Sequence, residues 1–159
     1  MPKISTAPDH TGISVKVVEL TPQGELPSDL SGAVAIGHMD DFTAILDKSR
    51  PVKKYTPIND RDFSQIVSTG AVEYGAFSAT VLFDYRATDG ANMLEKAFDE
   101  NKEIGLIIEL NDSVNGGADT TIVQIIKVTK FASGGEKDGK MTAQIEAEKM
   151  GNPIISVAE

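Results

Sequence analysis

The chain is 159 residues long, 40% apolar and 25% charged, the balance of one globular domain that can bury a core without covalent staples. It contains no cysteine, which excludes a disulfide framework, thiolate zinc sites and cysteine nucleophiles. With 15 basic against 24 acidic residues the net charge is −9, a poor basis for gripping nucleic acid, and no apolar run approaches the ~18 residues of a membrane span.

Residues 1–12 are polar, carry Pro2, Pro8 and Gly12, and read as an N-terminal arm without the apolar stretch of a signal peptide. Residues 13–20, ISVKVVEL, are rich in β-branched side chains and read as a strand. Thr21-Pro22-Gln23-Gly24 is a turn signal, a loop follows to Gly32, and AVAIGHM at 33–39 reads as a short strand. From about 40 to 62 there is no clean period, and Pro51 and Pro57 interrupt it, so a long loop is expected. That loop holds Lys48, Arg50, Lys53 and Lys54, four of the 15 bases, and long loops in small domains often carry function.

The second half is more regular. FSATVLFDY at 77–85 alternates with period two and reads as a half-buried strand. Asp89 is placed to cap a helix over about 90–101, in which Met93 and Ala97, and Leu94 and Phe98, make an apolar stripe. IGLIIEL at 104–110 is a strand and NDSVNGGAD at 111–119 a hairpin loop. TTIVQIIKVTKF at 120–131 is apolar on both faces, as a central strand covered twice would be. SGGEKDGK at 133–140 is a turn, and MTAQIEAEK at 141–149 alternates again. Gly151-Asn152-Pro153 is expected to end that strand, leaving 152–159 as an apolar C-terminal tail with Ile154, Ile155 and Val157. The expected fold is mainly β: a single antiparallel β-sandwich or open barrel over 13–151, with one short α-helix, a long loop and extended arms.

Sequence patterns for catalysis are weak. His10 and His38 have no ligand-like spacing, and there is no nucleophile elbow, P-loop or dinucleotide fingerprint. NDSVNGGAD lacks the spacing of a calcium loop, and Asp40-Asp41 and Asp60-Arg61-Asp62 read as loop charges. No enzymatic activity and no cofactor or metal are expected. The basic run from Lys48 to Lys54 suits a phosphate, an acidic face of a neighbouring copy, or simply a solvated loop. The outward positions of the strands at 77–85 and 141–149 are Ser78, Thr80, Asp84, Thr142, Gln144, Glu146 and Glu148, three acids and no bases. Such a face is either ordinary solvated sheet or a surface that must not hold a polyanion.

The order of these stretches, FSATVLFDY, ATDGANMLEKAFDENKE, IGLIIEL, TTIVQIIKVTKF and MTAQIEAEKMGNPI, resembles the major tail tube proteins of long-tailed, siphovirus-like bacteriophages. The matching parts run from Gly75 to Glu109 and from Thr121 to Pro153; the Gly-x-Pro of Met150-Gly151-Asn152-Pro153 is kept, but the residues before it are polar and alternating. The resemblance implies a structural subunit of the virion tail, made in the bacterial host cytoplasm, whose commonly hexameric rings stack into a hollow tube. It implies contacts with itself and with tape measure, tip and terminator proteins, while DNA passes through an acidic lumen without specific binding. On this reading Asp84, Glu146 and Glu148 are lumen-facing candidates. Lys48, Arg50, Lys53 and Lys54 are ring-stacking candidates, and Ile154, Ile155 and Val157 are interface candidates of the tail. The alternatives are the related tube protein of a contractile tail or secretion system, and a virion carbohydrate- or receptor-binding β-sandwich. The latter is disfavoured by the absence of tryptophan and the 6% aromatic content.

Overall fold

Alternation of apolar and polar residues makes sheet here, and its phase decides which face of each strand is buried. The structure, a computed structural model, describes residues 13–36, 39–43, 47–56, 58–59, 65–68, 70–84, 86, 88–110, 120–135 and 141–157. The first half holds β1 (Ile13–Val18), β2 (Val34–Ala35), β3 (Met39–Thr43), β4 (Lys48–Ser49), β5 (Val52–Tyr55), β6 (Gln65–Ser68) and β7 (Glu73–Tyr74). β8 (Phe77–Leu82), α1 (Gly90–Asp99), β9 (Glu103–Leu110), β10 (Thr120–Gly135) and β11 (Met141–Val157) follow. Seven strands form one curled antiparallel sheet in the order β2-β1-β9-β10-β11-β8-β3. The expected β-rich fold with one short helix is therefore observed.

α1 lies on one face of the sheet and closes the main core. Its Leu94 and Ala97 belong to one buried cluster with Val15 and Val17 of β1, Ile104, Leu106 and Ile108 of β9, and Ile122 and Ile126 of β10. Phe77, Ala79 and Val81 of β8 and Ala143, Ile145 and Ala147 of β11 extend this core. Phe83 and Phe131, edge to face with ring centroids 5.0 Å apart, close its far end. On the opposite face a smaller core of Val18, Ile107 and Val123 is covered by Leu26, Leu30 and Ala33. β9 and the first half of β10 are thus buried on both sides, which explains their unbroken apolar runs. Gly105 permits this double cover, because a Cβ there would stand 2.8 Å from both Leu26 Cδ2 and Val18 Cγ1.

Asp89 caps α1 as expected, its Oδ1 accepting from the Ala91 and Asn92 amides at 3.1 and 3.3 Å. The helix ends one turn later than its last buried residue: Asn101 takes the left-handed conformation (φ 54°), and the Lys102 amide donates to the Ala97 carbonyl at 2.9 Å.

Three features differ from the expectation. First, Gly151-Asn152-Pro153 does not end β11. The ladder with β10 skips from Ile125↔Met150 to Val123↔Ile154, and the three residues form a bulge. Gly151 turns the chain at φ 68°, and buried Gln124 donates its Nε2 to the Gly151 carbonyl at 2.8 Å. Pairing then resumes to Val157, so the expected tail is a continuation of the strand. Secondly, β10 runs on to Gly135, and only its first half is covered twice; residues 129–135 are half-buried or exposed. Thirdly, the expected loop at about 40–62 contains β-structure. β4 pairs with β7 and β5 with β6, making a two-stranded arm between Asp47 and Gly75. Period two is absent from its sequence because both faces of β5 are exposed.

Candidate assembly interface

The hairpin of β10 and β11 is offset against its neighbours. β9 pairs with β10 only over Thr120–Lys127, and β8 pairs with β11 only over Thr142–Ala147. Among the described strands, β10 from Val128 to Gly135 is therefore laddered to β11 alone. Likewise, β11 from Glu148 to Val157 is laddered to β10 alone. The two open half-edges lie on opposite sides of one hairpin and at opposite ends of it. An open edge with exposed apolar side chains is a template for another strand. The edge of β11 has them: Met150, Ile154, Ile155 and Val157 are 41%, 57%, 47% and 61% exposed. Ile154, Ile155 and Val157 thus sit on an exposed strand edge.

The face away from α1 is open beyond the small second core. Register brings Ser78, Glu146 and Lys130 into one row, Thr80, Gln144 and Ala132 into the next, and Glu103, Lys127 and Glu148 into a third. Glu146 and Glu148 are both exposed on it. β10 adds two bases that alternation within β8 and β11 could not reveal. Lys130 Nζ stands 3.7 Å from Glu146 Oε1, and Lys127 is the cross-strand partner of Glu148. The rows are therefore of mixed charge. Asp84 lies past the ladder: its Oδ1 accepts from the Arg86 amide at 2.9 Å and its carbonyl accepts from Asn92 Nδ2 at 3.1 Å. It shapes the turn between β8 and α1, and its exposed carboxylate stands off the strand that carries Ser78 and Thr80.

The arm presents Lys48, Arg50, Lys53 and Lys54, all exposed. It also presents apolar surface that the sequence alone did not flag: Val52, Tyr55, Ile66 and Val67 are 58%, 58%, 60% and 46% exposed. Register puts Lys54 beside Ile66 on one face and Lys53 beside Val67 on the other. The β-branched pair Ile66-Val67 was the signal available for it. The arm is rooted next to the β11 bulge, where Tyr74 Oη donates to Asn152 Oδ1 at 2.7 Å and the Gly75 amide donates to the Asp47 carbonyl at 3.0 Å. Lys149 lies in this root, 8% exposed; burial pushes its amine below the ordinary lysine range, and the Asp47 carboxylate acts in the opposite direction.

No group of three or more metal-binding side chains occurs among the described residues. No described helix is long and apolar enough to cross a membrane. His10, His38, Asp60, Asp62 and the 111–119 segment lie outside the described residues, as do the side chains of Asp40 and Asp41.

No family model and no curated protein matches the chain. Solved structures do. A chain of the virion of the native gene transfer agent particle has a TM-score of 0.67 at 10% identity, over 95% of this chain and 100% of that one. The SPP1 tail tube gives 0.66 at 9% identity, over 94% of this chain and 79% of that one. A chain of the sheath/tube terminator of the PVC extracellular contractile injection system gives 0.65 at 11%, over 98% and 100%. Identity this low makes the likeness one of fold: the chain shares its fold with chains of the gene transfer agent virion, of the SPP1 tail tube and of the sheath/tube terminator of that injection system.

Proposed function

We propose that the chain is a structural subunit of a phage-like tail tube. Copies join edge to edge into rings, the rings stack, and the genome passes through the hollow. The observation that carries this reading is the offset hairpin. Copies turned about a common axis keep their strand directions, so β11 of one copy runs antiparallel to β10 of the next. The open half of β11, residues 148–157, and the open half of β10, residues 128–135, are of similar length and free on facing sides, and strands tilted to the ring axis, as in a closed barrel, bring these opposite ends level. Joining them continues the sheet around the ring and removes both edges. Heterologous contacts of this kind close into rings when the rotation allows.

The open face carrying Glu146 and Glu148 then lines the lumen. Lys127 and Lys130 share that face with Glu103, Glu146 and Glu148, and Lys130 lies 3.7 Å from Glu146, so the acids outnumber the bases facing the DNA backbone. The basic arm and the apolar β11 edge become contacts between subunits. The chain acts without a cofactor and without catalysis, in a virion tail, after synthesis in the host cytoplasm. Tape measure, tip and terminator proteins are its further partners.

Electron microscopy of the purified protein at high concentration, with light scattering on the same sample, tests the assignment. Hollow tubes or stacked rings are expected. A protein that stays monomeric at high concentration, and also when seeded with preformed tail tips, contradicts it. A sheath co-purifying with the tubes would assign them to the contractile class.

A further inference from the structure

We infer that the basic arm of one copy docks in the cleft at the C-terminal end of α1 of the next copy in the same ring, making the arm a lateral clamp. This rests on the edge-to-edge joining proposed above. A two-stranded ribbon is marginally stable alone and needs cover. The β5–β6 ribbon is solvent-exposed along β5 and exposes Val52, Tyr55, Ile66 and Val67. What covers it has to be apolar in its floor and acidic at its rim, because the run from Lys48 to Tyr55 holds four bases and no acid.

The cleft between α1 and the turn after β1 has that character. It measures about 810 Å³, with Leu20, Met93 and Ile104 in its floor and Glu19, Glu100 and Glu103 along its rim. Its lining holds Glu19, Glu100 and Glu103 against Lys96 and Lys102. Lys102 is already paired with Glu100 at 2.8 Å, so the surplus is acidic.

Register places arm and cleft at the same junction. Glu103 is the ladder partner of Lys127, so the cleft stands directly before Val128, where the open half of β10 begins. The arm is rooted at Asn152, in the middle of the open half of β11. When β11 of one copy runs along the open β10 of its neighbour, the root of the arm comes level with that strand. The proposed docking has the arm reach from that root to the neighbour's helix end. Basic ribbon and acidic cleft thus face each other across the edges that join.

The chain has no cysteine, so introduced pairs report cleanly. Lys54→Cys combined with Glu19→Cys, and Ile66→Cys combined with Glu103→Cys, are assembled under mild oxidation and run on a denaturing gel. A lateral clamp gives a covalent ladder that stops at the copy number of the ring. A ladder that continues past that number puts the arm on the ring above or below and overturns the lateral assignment. Tubes that form without any cross-link from either pair overturn the docking and leave the tube reading standing. A covalent ladder without tubes keeps the docking and removes the tube. As a second measurement, Lys53→Glu with Lys54→Glu raises the concentration needed for assembly by about tenfold. Adding Glu19→Lys with Glu103→Lys to the same chain restores it. Failure of the reversed cleft to rescue the reversed arm counts against the contact. Circular dichroism of each variant confirms folding.

Discussion

Replacing Gln124 with leucine removes the side-chain amide that holds the β11 bulge. Gln124 is 3% exposed, and its Nε2 donates to the Gly151 carbonyl at 2.8 Å. A hydrogen bond of this kind contributes about 0.5–1.5 kcal/mol net, and an acceptor left dry adds to the loss. Gly151 is itself exposed, so water partly replaces the donor, and the loss is set at about 1–2 kcal/mol. The consequence is local. Beyond the bulge, Ile154–Val157 are held by pairing with Thr120–Val123 and by no other described strand. Amide hydrogen exchange at 154–157 therefore accelerates by roughly 5–30-fold, while Ile145 and Ala147, flanked by β8 and β10, keep their protection. Urea unfolding of the whole domain moves less than exchange at the tail strand does. Unchanged exchange at 154–157 in Gln124→Leu refutes the role of this bond in setting the register of the edge. Gly151→Ala is the independent check: it forces φ 68° on a residue with a Cβ, costs about 1–2 kcal/mol, and loosens the same strand.

Leu94→Ala empties the fully buried centre of the helix–sheet core and lowers unfolding stability by about 2–5 kcal/mol in urea titrations. Ile154→Ser with Ile155→Ser changes monomer stability by no more than about 0.5 kcal/mol, since both residues are exposed, but suppresses assembly measured by light scattering. Lys149→Met removes a pH dependence: burial disfavours the charged amine and lowers its folded-state pKa below the unfolded value, so the wild type gains stability relative to the mutant as pH rises toward 10.5 in urea titrations.

Much of the fold was legible because one face of each strand is buried and the other is wet. Phe77, Ala79 and Val81 alternate with Ser78 and Thr80, and Ala143, Ile145 and Ala147 alternate with Gln144 and Glu146. Asp89 announced its helix for an equally local reason, the need of the first amides for an acceptor. The arm was illegible because its strands bury neither face in the monomer, so Val52-Lys53-Lys54-Tyr55 has no phase to read. Gly151-Asn152-Pro153 misled because a bulge and a turn ask for the same residues; only the buried Gln124 across the ladder tells them apart. The charges of the open face were half legible. Glu146 and Glu148 follow from alternation, as does Lys127 within β10, whereas Lys130 reaches that face through a second bulge at Thr129, which shifts the phase of β10. Thr129 donates its hydroxyl to the Glu146 carbonyl at 3.2 Å and so fixes that shift.

The diagonal offset of β10 and β11 also gives the molecule polarity. Its two half-edges differ in sequence, Val-Thr-Lys-Phe-Ala-Ser-Gly-Gly against Glu-Lys-Met-Gly-Asn-Pro-Ile-Ile-Ser-Val, so neither is a copy of the other. A twofold dimer would match like with like and leave both unlike halves bare. On the proposed edge-to-edge joining, growth proceeds head to tail, and an arc of two copies has the same pair of raw ends as an arc of five. Each addition gains one junction without shortening the exposed boundary, until closure removes both ends at once. On that joining, the closed circle holds one junction more than any open arc of the same number of copies and is favoured over it.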